Sequence, residues 1–169
     1  MTQQPSPHIE LVSASREQEP VVANLLQLYI YDFSELLDMD TGADGKFAYP
    51  HLPLYWSEPG RYPFLITVDD KLAGLVLVKA GSEPASHDLA EFFVLRRHRR
   101  RGVGTSIAHQ VWRRLPGPWE VRVMDANVAA QHFWAHAISN FIGLPAVPTR
   151  VERDGEIWQI FSFESRSGE

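Results

Sequence analysis

The sequence predicts a mixed α/β domain in which one sheet carries helices on both of its faces. Runs rich in branched and aromatic residues at 64–68, 72–78 and 89–95 are typical of strands. Apolar residues spaced three and four apart at 21–37 and 103–115 are typical of helices that bury one side. Because both patterns occur along 169 residues without a repeat or a long linker, we expect one sheet packed between helices.

The first elements are a short strand at 9–13 and a long helix. The helix should begin near Glu19-Pro20, because the first helical turn tolerates proline. It should stop before the loop-forming residues 41–45. Its apolar positions are Val21, Val22, Leu25, Leu26, Leu28, Tyr29, Phe33, Leu36 and Leu37.

A long loop is expected at 42–63, where four prolines interrupt any periodic pattern. Its aromatic residues Tyr49, Tyr55 and Trp56 are open to two interpretations of equal weight. Long loops with aromatic side chains often bind ligands, and aromatic side chains also seal the edge of a core.

The remaining elements alternate between strands and helices. Residues 69–71 should turn a hairpin, and Asp154-Gly155 should turn the last one. In chain order the predicted elements are strands 64–68, 72–78 and 89–95, a helix at 104–114, a strand at 119–124, a helix at 128–138, and strands 149–153 and 156–163.

Composition excludes several classes of protein. The formal net charge of -5 and pI near 5.8 disfavour general nucleic-acid binding, which accompanies basic domains. The absence of cysteine removes disulfides and thiolate metal sites. The polar residues 1–10 lack the pattern of a signal peptide, and the apolar runs are too short to span a bilayer. We therefore expect a cytoplasmic protein that binds neither nucleic acid nor membrane.

One stretch contradicts the acidic balance: RRHRRRGVG, at 96–104, places five arginines within six positions. It lies between a predicted strand and a predicted helix. Glycines let the backbone approach a ligand closely, and free N–H groups at a helix N-terminus attract anions. The pattern predicts a phosphate site, although a solvated basic turn before an ordinary helix has the same composition.

Two familiar phosphate motifs do not fit this stretch. A P-loop requires a lysine after its glycines, and none follows Gly102 or Gly104. A dinucleotide-binding turn requires a third glycine where Ile107 stands.

The stretch Arg99-x-x-Gly102-x-Gly104 instead resembles motif A of the GNAT superfamily of N-acetyltransferases, [QR]-x-x-G-x-[GA]. Downstream, Asn127-x-x-Ala130-x-x-Phe133-Trp134 resembles a second signature of that family. The resemblance implies a single GNAT-like domain over 1–169, with its core at about 9–163 and a central, mostly antiparallel sheet. It further implies transfer of an acetyl group from acetyl-CoA to a primary amine in a ternary complex.

The resemblance also implies which residues would bind acetyl-CoA. Backbone N–H groups of the glycine turn would hold the pyrophosphate, and the preceding strand would bond the pantetheine arm and polarise the thioester carbonyl. The later helix would contribute a contact through Asn127. The implied cofactor-binding residues are Phe93, Val94, Leu95, Arg99, Arg100, Arg101, Gly102, Val103, Gly104, Thr105, Asn127 and Trp134.

The motifs indicate the catalytic residues less clearly than the cofactor-binding residues. Asp88 stands where some family members carry a glutamate base, while Glu91 is closer to the expected carbonyl site. An acid in an apolar strand is costly unless it is paired or solvated, so Glu91 is a site candidate. With nearly equal weight, Glu91 simply faces the substrate cleft or an arginine. Trp134 stands where many members have a tyrosine acid, and an indole cannot replace it.

This departure leaves alternatives open. His132 and His136, one helical turn apart, could supply an acid, or the thiolate could leave unassisted. A non-catalytic domain that binds acyl-CoA as a sensor is the second functional hypothesis.

Acceptor and assembly are predicted only in outline. Asp32, Glu35, Asp38 and Asp40 place negative charge at the expected acceptor side, which together with the acidic balance favours a cationic amine. For each of these acids taken singly, a solvated helix face is the favoured interpretation. No acidic or histidine cluster has metal-ligand spacing. The apolar final hairpin, 157–161, would suit either a homodimer edge or plain core.

Overall fold

The computed structural model describes residues 5–167, which form a single seven-stranded sheet with three α-helices. Along the sheet the strands follow the order β1-β2-β3-β4-β5-β7-β6. The strands are β1 (Ile9–Ser13), β2 (Arg61–Val68), β3 (Lys71–Ala80), β4 (His87–Val94), β5 (Gly117–Met124), β6 (Thr149–Arg153) and β7 (Glu156–Ser165). The helices are α1 (Glu19–Phe33), α2 (Val103–Arg114) and α3 (Val128–Ile142).

Five of the six neighbouring strand pairs are antiparallel, and only β4 and β5 run parallel. This confirms the predicted mixed, mostly antiparallel sheet. The hairpin turns form at the predicted positions, where Asp69, Asp70, Asp154 and Gly155 all have positive φ. Two successive residues with positive φ match the right-handed twist of the flanking strands.

Helices cover both faces of the sheet, as predicted. On one face α2 and α3 bury the larger core, which includes Trp112, Ile107 and Trp134. On the other face α1 packs Val22 and Leu26 against the sheet. This second core draws on β2, β3 and β4, and among residues 5–167 it contains no side chain from β5, β6 or β7.

The ends of two helices differ from the predictions. Helix α1 ends at Phe33 rather than just before 41, because the Ser34 hydroxyl bonds the Tyr31 carbonyl and Leu36 and Leu37 continue as a turn. The apolar periodicity through Leu37 therefore marks a partly exposed turn instead of helix. Helix α3 extends to Ile142, where Gly143 in the left-handed region ends it.

None of the helices within residues 5–167 combines the length and apolar character that crossing a membrane requires.

Candidate active site

Strands β4 and β5 separate at the centre of the sheet. They pair only at His87 with Trp119 and at Asp88 with Glu120. Beyond these residues β4 stays with β3 and β5 stays with β7. The result is a wedge between two strands, with unpaired backbone groups along both of its sides.

A β-bulge in β4 shapes this wedge. Leu77 pairs with Glu91 and the next residue, Val78, pairs with Leu89, which leaves Ala90 as the extra residue. Strand side chains alternate between faces, so residues three apart normally point in opposite directions. The bulge brings Asp88 and Glu91 onto one face, the face that α1 covers in part.

The register decides which backbone groups face the wedge. The Leu95 N–H donates to the Ala73 carbonyl at 2.8 Å. Because antiparallel pairs alternate, Phe93 also turns its N–H and carbonyl toward β3, whereas Phe92 and Val94 turn theirs toward the wedge. Of the three strand residues predicted to bond the pantetheine arm, only Val94 offers its N–H there. Phe93 and Leu95 bond β3 instead, which corrects their predicted direction, and Phe92 is the other residue here whose N–H faces the wedge.

At the mouth of the wedge the chain turns into α2. Residues 96–98 form one 3-10 turn, Arg100 and Gly102 have positive φ of 60° and 74°, and α2 begins at Val103. The first N–H groups of an α-helix have no partner within the helix. Those of Val103, Gly104 and Thr105 therefore point out of the helix end, which is the donor set that a pyrophosphate accepts.

The arginines of this turn have two different roles. Arg96 and Arg99 donate to the two carboxylate oxygens of Asp32, at 2.5 and 2.7 Å. Arg99 also donates through Nε to the Val94 carbonyl at 2.7 Å. Its side chain is therefore part of the frame of the turn rather than a direct anion ligand.

The other arginines remain available to an anion. Arg97, Arg100 and Arg101 are exposed and form no ion pair with any residue in 5–167. Between them His98 is buried, and burial together with Arg97 and Arg101 lowers its pKa. The run thus combines two arginines that bind Asp32, three exposed arginines without an ion pair among residues 5–167, and a buried histidine.

Gly104 has a packing role that the sequence did not reveal. A Cβ at this position would lie 3.0 Å from two ring atoms of Phe133 on α3. A Cβ at Gly102 would meet nothing within 4 Å, so that glycine is required only for its positive φ. Gly104 allows α2 and α3 to approach each other, and the resulting position of α2 directs its N-terminus at the wedge.

Glu91 lies beside the wedge in a pocket of tyrosines. The Tyr49 hydroxyl donates to its Oε1 at 3.2 Å. Burial raises the pKa of Glu91, and hydrogen bonds from Tyr29 and Tyr49 and the charges of Lys79 and Arg122 offset the rise only in part. A carboxylate with a raised pKa is a better proton acceptor at neutral pH than an ordinary one.

Asp88 differs from Glu91 in being paired with cations. Arg122 donates to it at 2.8 Å, and the Lys79 ammonium lies 3.9 Å away. The side chain is buried, next to the last paired residues of β4 and β5. We therefore assign Asp88 to holding β3, β4 and β5 together where the wedge opens, and the base role predicted for it is not supported by its surroundings.

The second signature places Asn127 and Trp134 on α3. Asn127 Oδ1 accepts the Ala130 N–H at 3.1 Å, so its carbonyl oxygen caps the helix. Trp134 is buried, with its ring 4.9 Å from Phe92 and 4.7 Å from Phe133. Its contacts are those of core packing, and its role in cofactor binding stays a prediction.

Three other residues predicted for the site are exposed or make contacts outside the wedge. His132 and His136 are exposed on α3, and His136 bonds Asn140 at 3.1 Å. Both carboxylate oxygens of Asp32 bind arginines of the turn, so its charge is already paired, and an acceptor near α1 stays a prediction. Within the described part of the chain, no three His, Asp or Glu side chains come together as a metal site.

Sequence reasoning missed the residues that surround Glu91. The sequence pattern puts Tyr29 on the apolar side of α1 and Arg122 in the strand 119–124, and Lys79 falls one residue beyond the predicted strand 72–78. Their common position on one sheet face depends on the bulge at Ala90, for which the sequence contains no glycine or other marker. The aromatic loop at 42–63 was the one available signal, and it does supply Tyr49.

About two thirds of the chain matches the sequence pattern of one protein family. Residues 28–138 match the sequence model of the Acetyltransferase (GNAT) family. Sequence comparison with curated proteins finds no match.

Solved structures share the fold at low sequence identity. An acetyltransferase from Thermus thermophilus has a TM-score of 0.68 at 15% identity, covering 92% of this chain and 96% of that one. A ribosomal-protein alanine N-acetyltransferase from Escherichia coli has a TM-score of 0.62 at 13% identity, with coverage of 96% and 97%. The spermidine N-acetyltransferase of Vibrio cholerae, in complex with CoA and spermine, has 0.62 at 11%, with coverage of 93% and 95%.

Proposed function

The chain belongs to the GNAT acetyltransferase family, and on that premise we propose that it transfers the acetyl group of acetyl-CoA to a primary amine by direct attack in a ternary complex. The observation that carries this proposal is the wedge between β4 and β5, which leads from the N-terminus of α2 to Glu91. A helix N-terminus suited to an anion, open strand backbone and a half-buried carboxylate thus follow one another along a single cleft.

The residues of the turn would bind the phosphates. N–H groups of Val103, Gly104 and Thr105 would receive the pyrophosphate, with support from the α2 dipole. The exposed Arg97, Arg100 and Arg101 would attract the anion over a longer range and reach the 3′-phosphate. The open N–H of Val94 would hold the pantetheine arm in the wedge.

Glu91 would activate the acceptor. Acetyl-CoA, when bound, supplies the thioester whose carbonyl carbon is attacked. The amine loses one proton to the Glu91 carboxylate as its nitrogen bonds to that carbon, and the carbon–sulfur bond breaks. The electron pair leaves with the thiolate, which Trp134 cannot protonate. Holding amine and carbonyl side by side removes much of the entropic barrier.

Cofactor binding is the first test of this proposal. A ligand that binds only the folded state raises the melting temperature, so a thermal titration with acetyl-CoA, CoA and dephospho-CoA should show shifts for the first two. A weaker shift with dephospho-CoA assigns the exposed arginines to the 3′-phosphate. No shift with any of the three at saturating concentration would overturn the proposal.

Turnover is the second test. Because structural neighbours act on a polyamine and on a protein alanine, the panel should contain polyamines, amino acids and peptides with free N-termini. Release of CoA thiol with any of these amines identifies an enzyme. Binding of acetyl-CoA without thiol release would favour the acyl-CoA sensor, for which the buried Trp134 in place of a tyrosine acid is the one supporting observation.

A further inference from the structure

The long loop between α1 and β2 places one hydroxyl on the candidate base. Tyr49 is half-buried, although the loop residues 40–46 before it are exposed at every position. Its hydroxyl donates to Glu91 Oε1 at 3.2 Å, across 42 residues of sequence. A hydrogen bond to a half-buried carboxylate from an otherwise irregular loop requires that the loop be held in place.

Two anchors on either side of Tyr49 hold the loop. Before it, the Gln27 side chain of α1 bonds the Phe47 backbone twice, donating to the carbonyl at 2.9 Å and accepting from the N–H at 2.8 Å. After it, Leu52 and Tyr55 are buried in the core beneath α1, and the Trp56 indole donates to the Ala14 carbonyl at 3.0 Å. Tyr49 therefore spans a short segment fixed at both ends.

Several elements present polar groups to Glu91. Tyr29 comes from α1, Tyr49 from the loop, Lys79 from β3 and Arg122 from β5. Lys79 and Arg122 are both committed to Asp88, the other acid on this face. Tyr55, from the 3-10 turn Leu52–Trp56 of the same loop, also lies near Glu91 and Tyr49. The Tyr49 hydroxyl thus reaches Glu91 from the irregular part of the loop, and its position depends on the loop anchors.

We propose that Tyr49 is a positioning residue for Glu91, and that docking of the loop at Gln27 sets the orientation and basicity of this carboxylate. The inference rests on the proposed function for the role of Glu91 as base. The Tyr49 hydroxyl stabilises the ionised carboxylate against the cost of burial. The hydrogen bond therefore favours the ionised form of Glu91, while burial keeps its affinity for a proton above that of an exposed glutamate.

The sign of the effect can be worked out from the hydrogen bond. Burial raises the pKa of Glu91, and the bonds from Tyr29 and Tyr49 lower it. Replacing Tyr49 by phenylalanine removes only a donor to the charged form, so the pKa of Glu91 must rise further. Hydrogen bonds to charged groups are strong enough for a rise of about one pH unit.

The test is a carboxyl-carbon NMR titration of Glu91 in the full chain, which requires no acceptor. The Glu91 resonance is assigned by its loss in Glu91→Gln. Tyr49→Phe should raise the midpoint by about one unit. The matched control is Tyr31→Phe, which removes the hydroxyl of an α1 tyrosine that is 67% exposed and should leave the midpoint unchanged. An unchanged or lowered midpoint in Tyr49→Phe, or an equal rise in the control, overturns the proposal.

A second variant tests the loop separately and covers the case in which Tyr49→Phe does not fold. Gln27→Ala releases the anchor at Phe47 while leaving Tyr49 intact, and it should move the midpoint in the same direction. An unchanged midpoint in Gln27→Ala would show that the loop docks without Gln27. It would overturn the claim that Gln27 sets the orientation and basicity of Glu91.

Once an acceptor is identified, kinetics give a further check. Tyr49→Phe should shift the acidic limb of kcat/KM upward, and it should add no loss of kcat in a Glu91→Gln background. An additional loss in that background would mean that Tyr49 acts independently of Glu91. If the proposed function is wrong, acetyl-CoA will not raise the melting temperature. If only the role of Tyr49 is wrong, that stabilisation remains and the NMR midpoint of Glu91 does not move.

Discussion

Asp32 Oδ2 accepts a hydrogen bond from Arg99 Nη2 at 2.7 Å, which ties the end of α1 to the turn ahead of α2. Through its Nε the same arginine reaches the Val94 carbonyl on β4. One guanidinium therefore joins helix α1, strand β4 at the wedge and the predicted phosphate turn. Arginine suits this role because its planar fork offers donors in several directions.

Asp32→Asn should destabilise the protein modestly and in a pH-dependent way. Burial raises the pKa of Asp32, but hydrogen bonds from Arg99 and Arg96 outweigh it, so the pKa lies below the usual 3.8. A lowered pKa means that the stabilisation is present above about pH 4 and is lost as the pH falls through the folded value.

At neutral pH the expected loss is about 1 kcal/mol, since Arg96 is 75% exposed and solvent screens the pair. Denaturant unfolding at pH 7 and at pH 3 measures the difference. Glu35→Gln, which replaces an exposed acid just after α1, is the control and should have little effect. A loss of equal size at both pH values would contradict the ion-pair explanation.

Gly104→Val should impair acetyl-CoA binding far more than Arg97→Ala. The valine side chain would collide with Phe133 and displace the end of α2 that presents the N–H groups. Arg97 is exposed, so its contribution is a screened, long-range attraction. Isothermal titration with acetyl-CoA at two salt concentrations compares the affinities of the two variants.

Unfolding without ligand serves as the control for this pair, because overpacking at Gly104 also costs about 1–3 kcal/mol of stability. Equal losses of affinity in folded Gly104→Val and Arg97→Ala would show that the arginine side chains, and not the helix end, bind the phosphates.

Glu91→Gln should reduce turnover and increase stability. Loss of a general base typically costs about 10²- to 10⁴-fold in rate. The raised pKa of Glu91 means that the folded state binds its proton more tightly than the unfolded state, so stability falls as the pH rises from about 4.5 to the folded pKa. Removing the charge should therefore raise the Tm at pH 7.

Thermal unfolding of the wild type and Glu91→Gln across pH 4 to 8 measures this effect. The difference between their Tm values should grow toward neutral pH. Asp88→Asn is the contrasting variant, because it breaks the buried contact with Arg122 and should lower the Tm. A lower Tm for Glu91→Gln at pH 7 would mean that its carboxylate stabilises the fold.

Trp134→Tyr should not restore a general acid. Position 134 is buried between Phe92 and Phe133, and the smaller ring leaves space that costs about 1–3 kcal/mol. Trp134→Phe has a similar volume change without a hydroxyl, so the two variants should show the same kcat and the same pH profile. A higher kcat or a new basic limb in Trp134→Tyr alone would assign this position to proton donation.

The sequence was sufficient for the architecture because the periodic patterns are local. The strands from β3 to β5 and helix α2 formed within a few residues of their predicted bounds, and the positive φ values at 69–70 and 154–155 follow from turn chemistry. The end of α1 was missed because apolar spacing continues into a turn, where Leu36 is 44% exposed.

The candidate site could be predicted only where one short segment determines it. The turn before α2 is such a segment, and its glycines lie as expected. The partners of Glu91 come from α1, a loop, β3 and β5, so they depend on the bulge at Ala90 and on the sheet order. Likewise, only Arg96 and Arg99 of the run form ion pairs, and both depend on Asp32, which lies more than sixty residues earlier in the sequence.

The wedge gives the middle of the sheet an unusual relation to solvent. Val94 lies at the centre of seven strands, yet by register its amide has no strand partner on the β5 side. Its hydrogen should exchange with deuterium as readily as that of an edge strand, while the Leu95 amide next to it, bonded to Ala73, exchanges slowly. A ligand that completes the sheet at this point would reverse the ranking, so occupancy could be followed at one amide even before any acceptor is known.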